Sequence, residues 1–199
     1  MILSRVFLFP YWLVLRLRNA AYDRGRRKVA QHPVPVISVG NLTAGGTGKT
    51  PMVEYLCTLL HDAWPMAVLS RGYKRSSRGF RLVETTDPAS LTGDEALQVK
   101  RKFPDLTVAV DKDRNHGVAQ LLALPETQRP GVIVLDDAFQ YRKLQPDASL
   151  LLVDYNRPVW DDELLPIGRL RDLPEQIRRA DAVLVTEIPW LLDERERTQ

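Results

Sequence analysis

The sequence is poor in cysteine and has no long apolar run, and each shortage excludes a class of protein. Cys57, the one cysteine among 199 residues, allows neither a disulfide framework nor a cysteine-rich metal site within the chain. It lies in the apolar stretch MVEYLCTLL, where a buried structural thiol is expected. The most apolar segment, VFLFPYWLVL (6–15), is shorter than the ~20 residues that a membrane-spanning helix requires. A transmembrane helix is therefore not predicted.

Positive charge is scarce outside the first thirty residues. The formal net charge is +3, yet residues 1–30 contain seven arginines and lysines against Asp23 alone, which leaves the remainder slightly acidic. A basic core that binds nucleic acid is not indicated, and neither a nucleic-acid partner nor a protein partner is predicted. The charge distribution divides the chain into an apolar and basic segment, 1–30, and a single domain, 31–199.

The apolar and basic segment suits a helix that lies among lipid headgroups. Its aromatic side chains are followed by cations that anionic lipid would attract: Phe7, Phe9, Tyr11, Trp12, Arg16 and Arg18. Two alternatives are a helix packed on the domain and a cleaved signal peptide, although arginines directly after the apolar run argue against the latter. We expect the protein on the cytoplasmic face of the inner membrane, attached peripherally or monotopically.

Short apolar runs alternate with longer helical stretches in the rest of the chain. The runs are typical of strands covered on both faces, and the connections are long enough for helical crossovers. The predicted fold is α/β, a doubly wound and mostly parallel sheet of the P-loop nucleoside triphosphate hydrolase type. The strands are predicted at 34–39, 66–70, 107–110, 132–135, 150–153 and 182–185, and the helices at 49–62, 93–103 and 113–124.

The stretch SVGNLTAGGTGKTP (38–51) places a glycine-rich loop between a predicted strand and a predicted helix. Glycines let backbone N–H groups approach an anion, and the start of a helix adds partial positive charge. Lys49 can reach the β and γ phosphates of a nucleotide, and the hydroxyl of Thr50 can bind Mg²⁺. Thr43 stands where the standard motif G-x-x-x-x-G-K-[ST] has its first glycine. This departure favours the nucleotide-binding families whose loop has a doubled glycine. The predicted phosphate-binding residues are Thr43, Ala44, Gly45, Gly46, Thr47, Gly48, Lys49 and Thr50.

A P-loop enzyme also needs a carboxylate at the end of a neighbouring strand to hold Mg²⁺. In GVIVLDDAFQYR, the apolar strand residues run directly into Asp136 and Asp137. A pair of this kind can also be a solvated turn or a helix cap, but beside a Gly-Lys-Thr loop it indicates a metal site formed with Thr50. The guanine-specific N-K-x-D element has no counterpart, so ATP is the expected nucleotide.

Five ordered motifs resemble the tetraacyldisaccharide 4'-kinases of lipid A biosynthesis: VISVGNLTAGGTGKTP, LSRGYKR, GDEA, DDAFQYRKL and LLPIGRLRD. The resemblance covers nearly the whole chain. It implies a kinase that transfers the γ-phosphate of ATP to the 4'-hydroxyl of an acylated glucosamine disaccharide 1-phosphate at the membrane surface. One alternative is a P-loop ATPase switch with a doubled glycine, but such ATPases often carry a lysine directly before the two glycines, where this sequence has Ala44. The other alternative is a membrane-associated nucleotide-binding module that has lost activity.

The resemblance also implies roles for individual residues. Lys49 and Asp137 match catalytic residues, and Asp94 matches the aspartate near the acceptor hydroxyl, where it could accept a proton or orient the sugar. From the local sequence alone, Asp94 would be a helix N-cap. Arginines suit phosphate because their guanidinium binds it bidentately. Possible contacts to phosphate or substrate, which could equally be surface ion pairs, are Arg71, Asp113, Arg114, Tyr141 and Arg171.

The sequence departs from the family pattern at several points. Ala138 and Tyr141 replace the glycine and histidine of D-D-G-F-Q-H-R, and Arg169 stands where an asparagine is familiar. Alanine would strain the turn if that glycine required positive φ. The family also continues past this chain with a second lobe, which carries a histidine that partners the aspartate matching Asp94. We therefore expect residues 1–199 alone to transfer phosphate poorly.

Overall fold

The computed structural model describes residues 2–189, with side chains from residue 8 onward, so the side chain of Phe7 lies outside the described residues. Its centre is a seven-stranded sheet with the order β3-β4-β2-β5-β1-β6-β7. Every pairing is parallel except the antiparallel contact of β3 with β4. The strands are β1 Val36–Asn41, β2 Met66–Ser70, β3 Arg81–Leu82, β4 Thr107–Val110, β5 Val132–Asp136, β6 Ala148–Asp154 and β7 Ala182–Thr186.

Five α-helices accompany the sheet in the described part of the chain: α1 Ile2–Asp23, α2 Lys49–Leu60, α3 Ala89–Thr92, α4 Asp94–Lys102 and α5 Arg114–Leu122. Helices α2, α4 and α5 and six of the strands confirm the predicted elements to within a few residues. Strand β1 begins and ends two residues later than predicted, and β3 and α3 were not predicted. Both are too short to leave a periodic pattern in the sequence.

Apolar residues cover both faces of the sheet, which explains why the strands read as continuous apolar runs. Helices α2 and α4 pack on one face through residues such as Val53 and Ala96. Helix α5 packs on the other face through Val118 and Leu121. This arrangement confirms the doubly wound α/β fold. Cys57 is buried beneath α2, and burial raises the pKa of its thiol to about 12, consistent with a structural role.

Helix α1 docks on the same face of the sheet as α5. Leu15 is buried in a cluster with residues of β6, and Asn19 beside it is 2% exposed. Arg18 and Asn19 both bind the carboxylate of Asp172, at 2.6 and 2.7 Å. The opposite side of the helix presents apolar side chains to solvent: Phe9, Leu13, Val14 and Leu17. Within residues 2–189, no helix combines the length and apolarity needed to cross a membrane.

Candidate nucleotide-binding site

The glycine-rich loop connects β1 to α2 and is fixed from both sides. Gly48 is the N-cap of α2 and has φ 74°, a left-handed conformation that favours glycine. The amide of Asn41 donates to Oγ1 of Thr47 at 2.7 Å, and the hydroxyl of Thr186 donates to the Thr47 carbonyl at 3.2 Å. The loop is thus held between β1 and β7, with the start of α2 directed at its centre. This is the geometry that binds an anion at a helix N-terminus.

Lys49 leaves the first turn of α2 and ends beside Asp137. Its Nζ lies 3.9 Å from a carboxylate oxygen of Asp137, and Arg171 binds the same carboxylate at 2.8 and 3.1 Å. Burial alone would raise the pKa of Asp137. The hydrogen bonds and charge of Arg171, together with Lys49 and Arg114, outweigh burial and hold this pKa below its ordinary value. Asp137 is therefore an anion that three cations surround.

The pKa of Asp136, at the end of β5, is raised, whereas that of Asp137 is lowered. Its side chain is buried, one oxygen accepts a hydrogen bond from Ser70 at 3.2 Å, and the other, Oδ1, has no partner among the described residues. Burial, followed by the charges of Glu95 and Asp137, raises its pKa to about 6. A buried carboxylate oxygen without a partner, next to a second carboxylate and near the Lys49 end of the loop, fits a hard cation such as Mg²⁺.

Ser70 and Glu95 were missed by the sequence analysis. Glu95 directly follows Asp94 in the GDEA motif, and its charge acts on Asp136. A motif that contributes one carboxylate to a site can contribute the next one as well, so this residue could have been considered. Ser70 ends β2, the strand beside β5, but a serine at the end of a strand gives no distinctive signal.

Arg114 and its neighbours stabilise the backbone of the aspartate pair. The guanidinium of Arg114 is buried and donates to the carbonyls of Asp136 and Asp137, each at 3.4 Å. Asp113 caps helix α5 by accepting from two backbone N–H groups. Tyr141 donates from its hydroxyl to Asp113 at 2.6 Å, and its ring lies 5.7 Å from the Arg114 guanidinium. Tyr141 therefore contacts both residues.

Asp94 lies at the start of α4, but it is not the helix cap that the local sequence suggested. Gly93 occupies the N-cap position with φ 88°, so Asp94 is the first helical residue and its side chain is exposed. A Cβ on Gly93 would come within 3.1 Å of the Gly72 backbone. The tight contact between these glycines leaves no room for a capping side chain at that position. The carboxylate of Asp94 is free to face outward instead.

A cleft of about 580 Å³ brings several predicted residues together, namely Arg71, Asp113, Arg114, Asp137, Tyr141 and Arg171. Lys49 reaches this group through Asp137, whereas Asp94 is not among the residues that line the cleft. The replacement of glycine by Ala138 causes no backbone strain, since the residue with positive φ, 47°, is Asp137 before it. Ala138 instead packs in the core beside α5.

The parallel sheet, the glycine-rich loop between a strand and a helix, and the carboxylate after a neighbouring strand define a P-loop nucleotide-binding fold. The family model described as tetraacyldisaccharide-1-P 4'-kinase (LpxK) matches residues 1–198. The chain belongs to this family, as the resemblance of its motifs implied.

Individual relatives agree with this assignment. The chain is 50% identical to a tetraacyldisaccharide 4'-kinase of Parabacteroides distasonis over 181 residues, covering 91% of this chain and 49% of the relative. It is 44% identical to one of Flavobacterium johnsoniae over 201 residues, covering 99% of the chain and 58% of the relative.

Among solved structures, the fold matches a crystal structure of the "apo" form of LpxK from Aquifex aeolicus in complex with ATP. The TM-score is 0.82 at 38% identity, and the match covers 96% of this chain and 62% of the other. The chain thus spans about half of the length of the first relative and at most 62% of the length of these three proteins.

Proposed function

We propose that this chain binds ATP together with Mg²⁺ and supplies the nucleotide side of a lipid kinase. The kinase transfers the γ-phosphate to the 4'-hydroxyl of an acylated glucosamine disaccharide 1-phosphate in lipid A biosynthesis. The observation that carries the proposal is the convergence of Lys49, Asp137 and the unpartnered oxygen of Asp136 beside the glycine-rich loop. The names of the relatives and the ATP in the Aquifex aeolicus structure support it.

Backbone and side-chain groups of the loop bind different parts of the triphosphate. The Ala44 N–H is bonded to the Arg169 carbonyl, so the backbone N–H groups that surround the phosphates are those of residues 45–50. Lys49 neutralises the charge on the β and γ groups. Thr50, Asp136 and Asp137 would hold Mg²⁺, which supplies further neutralisation of the transferred group when bound. Arg171 holds the Asp137 carboxylate toward Lys49 through two hydrogen bonds, which orients it before nucleotide arrives.

Asp94 serves the acceptor in this proposal. Its exposed carboxylate at the start of α4 can orient the sugar hydroxyl or accept its proton as the oxygen attacks the γ-phosphate. Arg71, Asp113, Arg114, Tyr141 and Arg171 line the cleft that also contains Asp137. The arginines there would contact phosphate on the nucleotide or on the sugar.

The transfer reaction can be tested in a chimera, because the matched relatives are longer than this chain. Residues 1–199 would replace the matching part of the Parabacteroides distasonis protein, and transfer of radiolabelled γ-phosphate to the disaccharide 1-phosphate would be measured. We expect Asp94→Asn to lower turnover about a hundredfold while ATP affinity stays the same. The unmodified relative is the positive control. Undiminished turnover in the Asp94→Asn chimera would reject the acceptor role.

We further propose that residues 1–30 attach the protein to the cytoplasmic face of the inner membrane. The support is the exposed apolar side of α1, with Phe9, Leu13 and Leu17 spaced four residues apart, and Arg16 stacked on Trp12 at 4.9 Å. The hydroxyl of Tyr11 donates to the Arg171 carbonyl at 3.4 Å, so this helix reaches the nucleotide site. A membrane-bound α1 would bring the site close to a lipid acceptor.

Vesicle flotation tests the attachment. Wild-type protein should float with vesicles of anionic phospholipid, and added salt should release part of it. Replacing Phe9, Leu13 and Leu17 by serine should abolish flotation without unfolding the protein, since these side chains are exposed. A matched control replaces the exposed Tyr55, Leu59 and Trp64, which lie in or just after α2. Equal flotation of the α1 variant and the wild type would contradict the proposal.

A further inference from the structure

The guanidinium of Arg169 lies beside the glycine-rich loop. A Cβ built on Gly45 would be 3.5 Å from Nη1 of Arg169. The carbonyl of the same Gly45 accepts a hydrogen bond from Nζ of Lys49, at 3.5 Å. The side chains of Lys49 and Arg169 therefore end at the same point of the loop, although they come from elements far apart in the sequence. Since the P-loop lysine reaches the β and γ phosphates, Arg169 is close to the terminal end of a bound triphosphate.

The backbone around Arg169 is fixed to the loop. The Ala44 N–H donates to the Arg169 carbonyl at 2.7 Å, and the Arg169 N–H donates to a carboxylate oxygen of Asp162 at 3.1 Å. The next residue, Leu170, is fully buried and forms a β-bridge with Thr43. These contacts use backbone atoms or the neighbouring residue. The position of Arg169 therefore does not depend on what its own side chain binds.

The side chain of Arg169 has no hydrogen bond or ion pair with any of the residues 8–189, whose side chains the structure describes, and it is exposed. Arg171 differs, because its guanidinium already binds Asp137 and is held in the protein. In an extended segment, residues two apart point to the same side, so Arg169 and Arg171 both face the nucleotide side while Leu170 enters the core. An exposed arginine is usually solvated, but this one borders a loop built to bind anions.

We propose that Arg169 contacts the terminal phosphate of the nucleotide and adds a cation that Lys49 alone does not supply. Arginine stays protonated at all physiological pH values, and its planar guanidinium can bind two phosphate oxygens at once. The proposal rests on the proposed function, since it requires that the loop binds a nucleoside triphosphate. Its specific consequence is that Arg169 helps to distinguish ATP from ADP.

Calorimetry on the 199-residue chain tests the proposal, with ATP and ADP each titrated in the presence of Mg²⁺. We expect Arg169→Asn to weaken ATP binding about tenfold and to change ADP binding by less than about twofold, because only ATP carries the terminal phosphate. Arg169→Lys should recover part of the loss, since it restores the charge without the planar fork. The matched control is Arg129→Asn, which removes the same charge from an exposed arginine before β5, at the opposite edge of the sheet.

The outcomes separate this proposal from the proposed function. If the wild-type chain binds neither nucleotide, the proposed function fails. If the wild type binds ATP and Arg169→Asn binds it equally well, only the role of Arg169 fails. An equal loss of ATP and ADP affinity would likewise overturn the assignment to the terminal phosphate. Unfolding curves monitored by circular dichroism should coincide for the wild type and the variants, because the contacts that fix residue 169 are made by its backbone.

Discussion

The two ends of the parallel strands use buried aspartates differently. At the amino-terminal ends, called the begin edge here, Asp147 and Asp181 bind backbone amides. At the carboxyl ends, called the end edge, Asp136 is left for a cation. Asp147 accepts from the Val36 N–H at 2.8 Å and Asp181 accepts from the Ser149 N–H at 2.7 Å. Their own N–H groups return hydrogen bonds to the carbonyls of the same two partners. At the other edge, Asp136 keeps one buried oxygen without a partner among the described residues.

The difference shows how one residue type serves stability at one edge and binding at the other. A carboxylate that satisfies a backbone N–H lowers the free energy of the folded chain. A buried carboxylate with an unpartnered oxygen raises it, unless a ligand supplies the missing charge. Removal of an aspartate at the begin edge should therefore lower the free energy of unfolding, whereas neutralisation of Asp136 at the end edge should raise it.

The largest effect is expected from Lys49→Ala, which removes the cation at the centre of the end edge. ATP affinity should fall about a hundredfold, equivalent to about 3 kcal/mol, because the charge-assisted contacts to the β and γ phosphates are lost. Isothermal calorimetry measures the change. Among the residues that the structure describes, the Lys49 ammonium is hydrogen-bonded to Gly45 and paired with Asp137 alone, so the thermal stability of the nucleotide-free chain should barely change. Unchanged ATP affinity would show that the loop does not bind the nucleotide.

Asp136→Asn should stabilise the chain when Mg²⁺ and nucleotide are absent. The pKa of Asp136 is about 6 in the folded protein against an ordinary 3.8, so the folded state favours the protonated carboxyl. Ionisation of Asp136 therefore lowers the free energy of unfolding progressively as the pH rises from about 4 through 6. Above this range the carboxyl is fully ionised, and its effect on stability no longer changes. At pH 7.5 the variant should be more stable by about 3 kcal/mol, since each pKa unit corresponds to about 1.4 kcal/mol.

Urea unfolding in EDTA at pH 4 and pH 7.5 measures this effect. The stability difference between the variant and the wild type should be near zero at pH 4, where both side chains are neutral, and should appear at pH 7.5. Glu54→Gln is a useful contrast, because the salt bridge with Lys102, at 2.6 Å, outweighs burial and lowers the pKa of Glu54. A constant difference at both pH values would contradict the burial of an ionised Asp136.

Asp147→Ala, at the begin edge, should have the opposite sign. It removes the acceptor of the Val36 N–H, and Val36 is 1% exposed, so the amide would lose its partner in a buried position. A loss of about 1 kcal/mol in unfolding free energy is expected. Urea unfolding measures this loss, and nucleotide affinity should not change, because Asp147 lies at the edge away from the loop. A gain in stability would remove the distinction between the two edges.

The smallest effect is expected from Tyr141→Phe, which deletes one hydroxyl and keeps the ring over Arg114. Loss of the 2.6 Å hydrogen bond to Asp113 should lower stability by about 0.5 kcal/mol. The hydrogen bond from Tyr141 is the main cause of the lowered pKa of Asp113, so in the variant this pKa should rise toward its ordinary value. Nuclear magnetic resonance titration of the Asp113 carboxyl measures it, and an unchanged pKa would contradict the assigned hydrogen bond.

The residues at the carboxyl ends of the strands, the end edge, could be placed from the sequence better than any other part of the molecule. The strand, the loop and the helix of residues 36–60 are continuous in the chain, so their order alone places Lys49 and Thr50. Asp136 and Asp137 could be placed because the carboxyl ends of parallel strands share one edge. The order of the strands was not predicted, since it depends on contacts between residues distant in the sequence.

The features that sequence reasoning missed are those that depend on packing. Which side of α1 faces the domain is decided by the Arg18 and Asn19 contacts with Asp172, more than 150 residues later. The N-cap role expected of Asp94 was wrong because the Gly93 backbone presses against Gly72, a contact that no local pattern records. Glu95 acts on Asp136 through space, so its importance depends on how α4 packs against β2 and β4.

The strand order also determines when the nucleotide site can form during folding. Strand β1 lies between β5 and β6, neither of which is its neighbour in the chain, so the loop after β1 stays without its carboxylates until the second half of the domain has joined the sheet. Sheets with such long-range pairings fold slowly, because distant segments must meet first. A ligand that binds only the completed site stabilises the native state alone. ATP present during refolding would therefore not speed the early steps, but it would hold the last strands in place once they arrive.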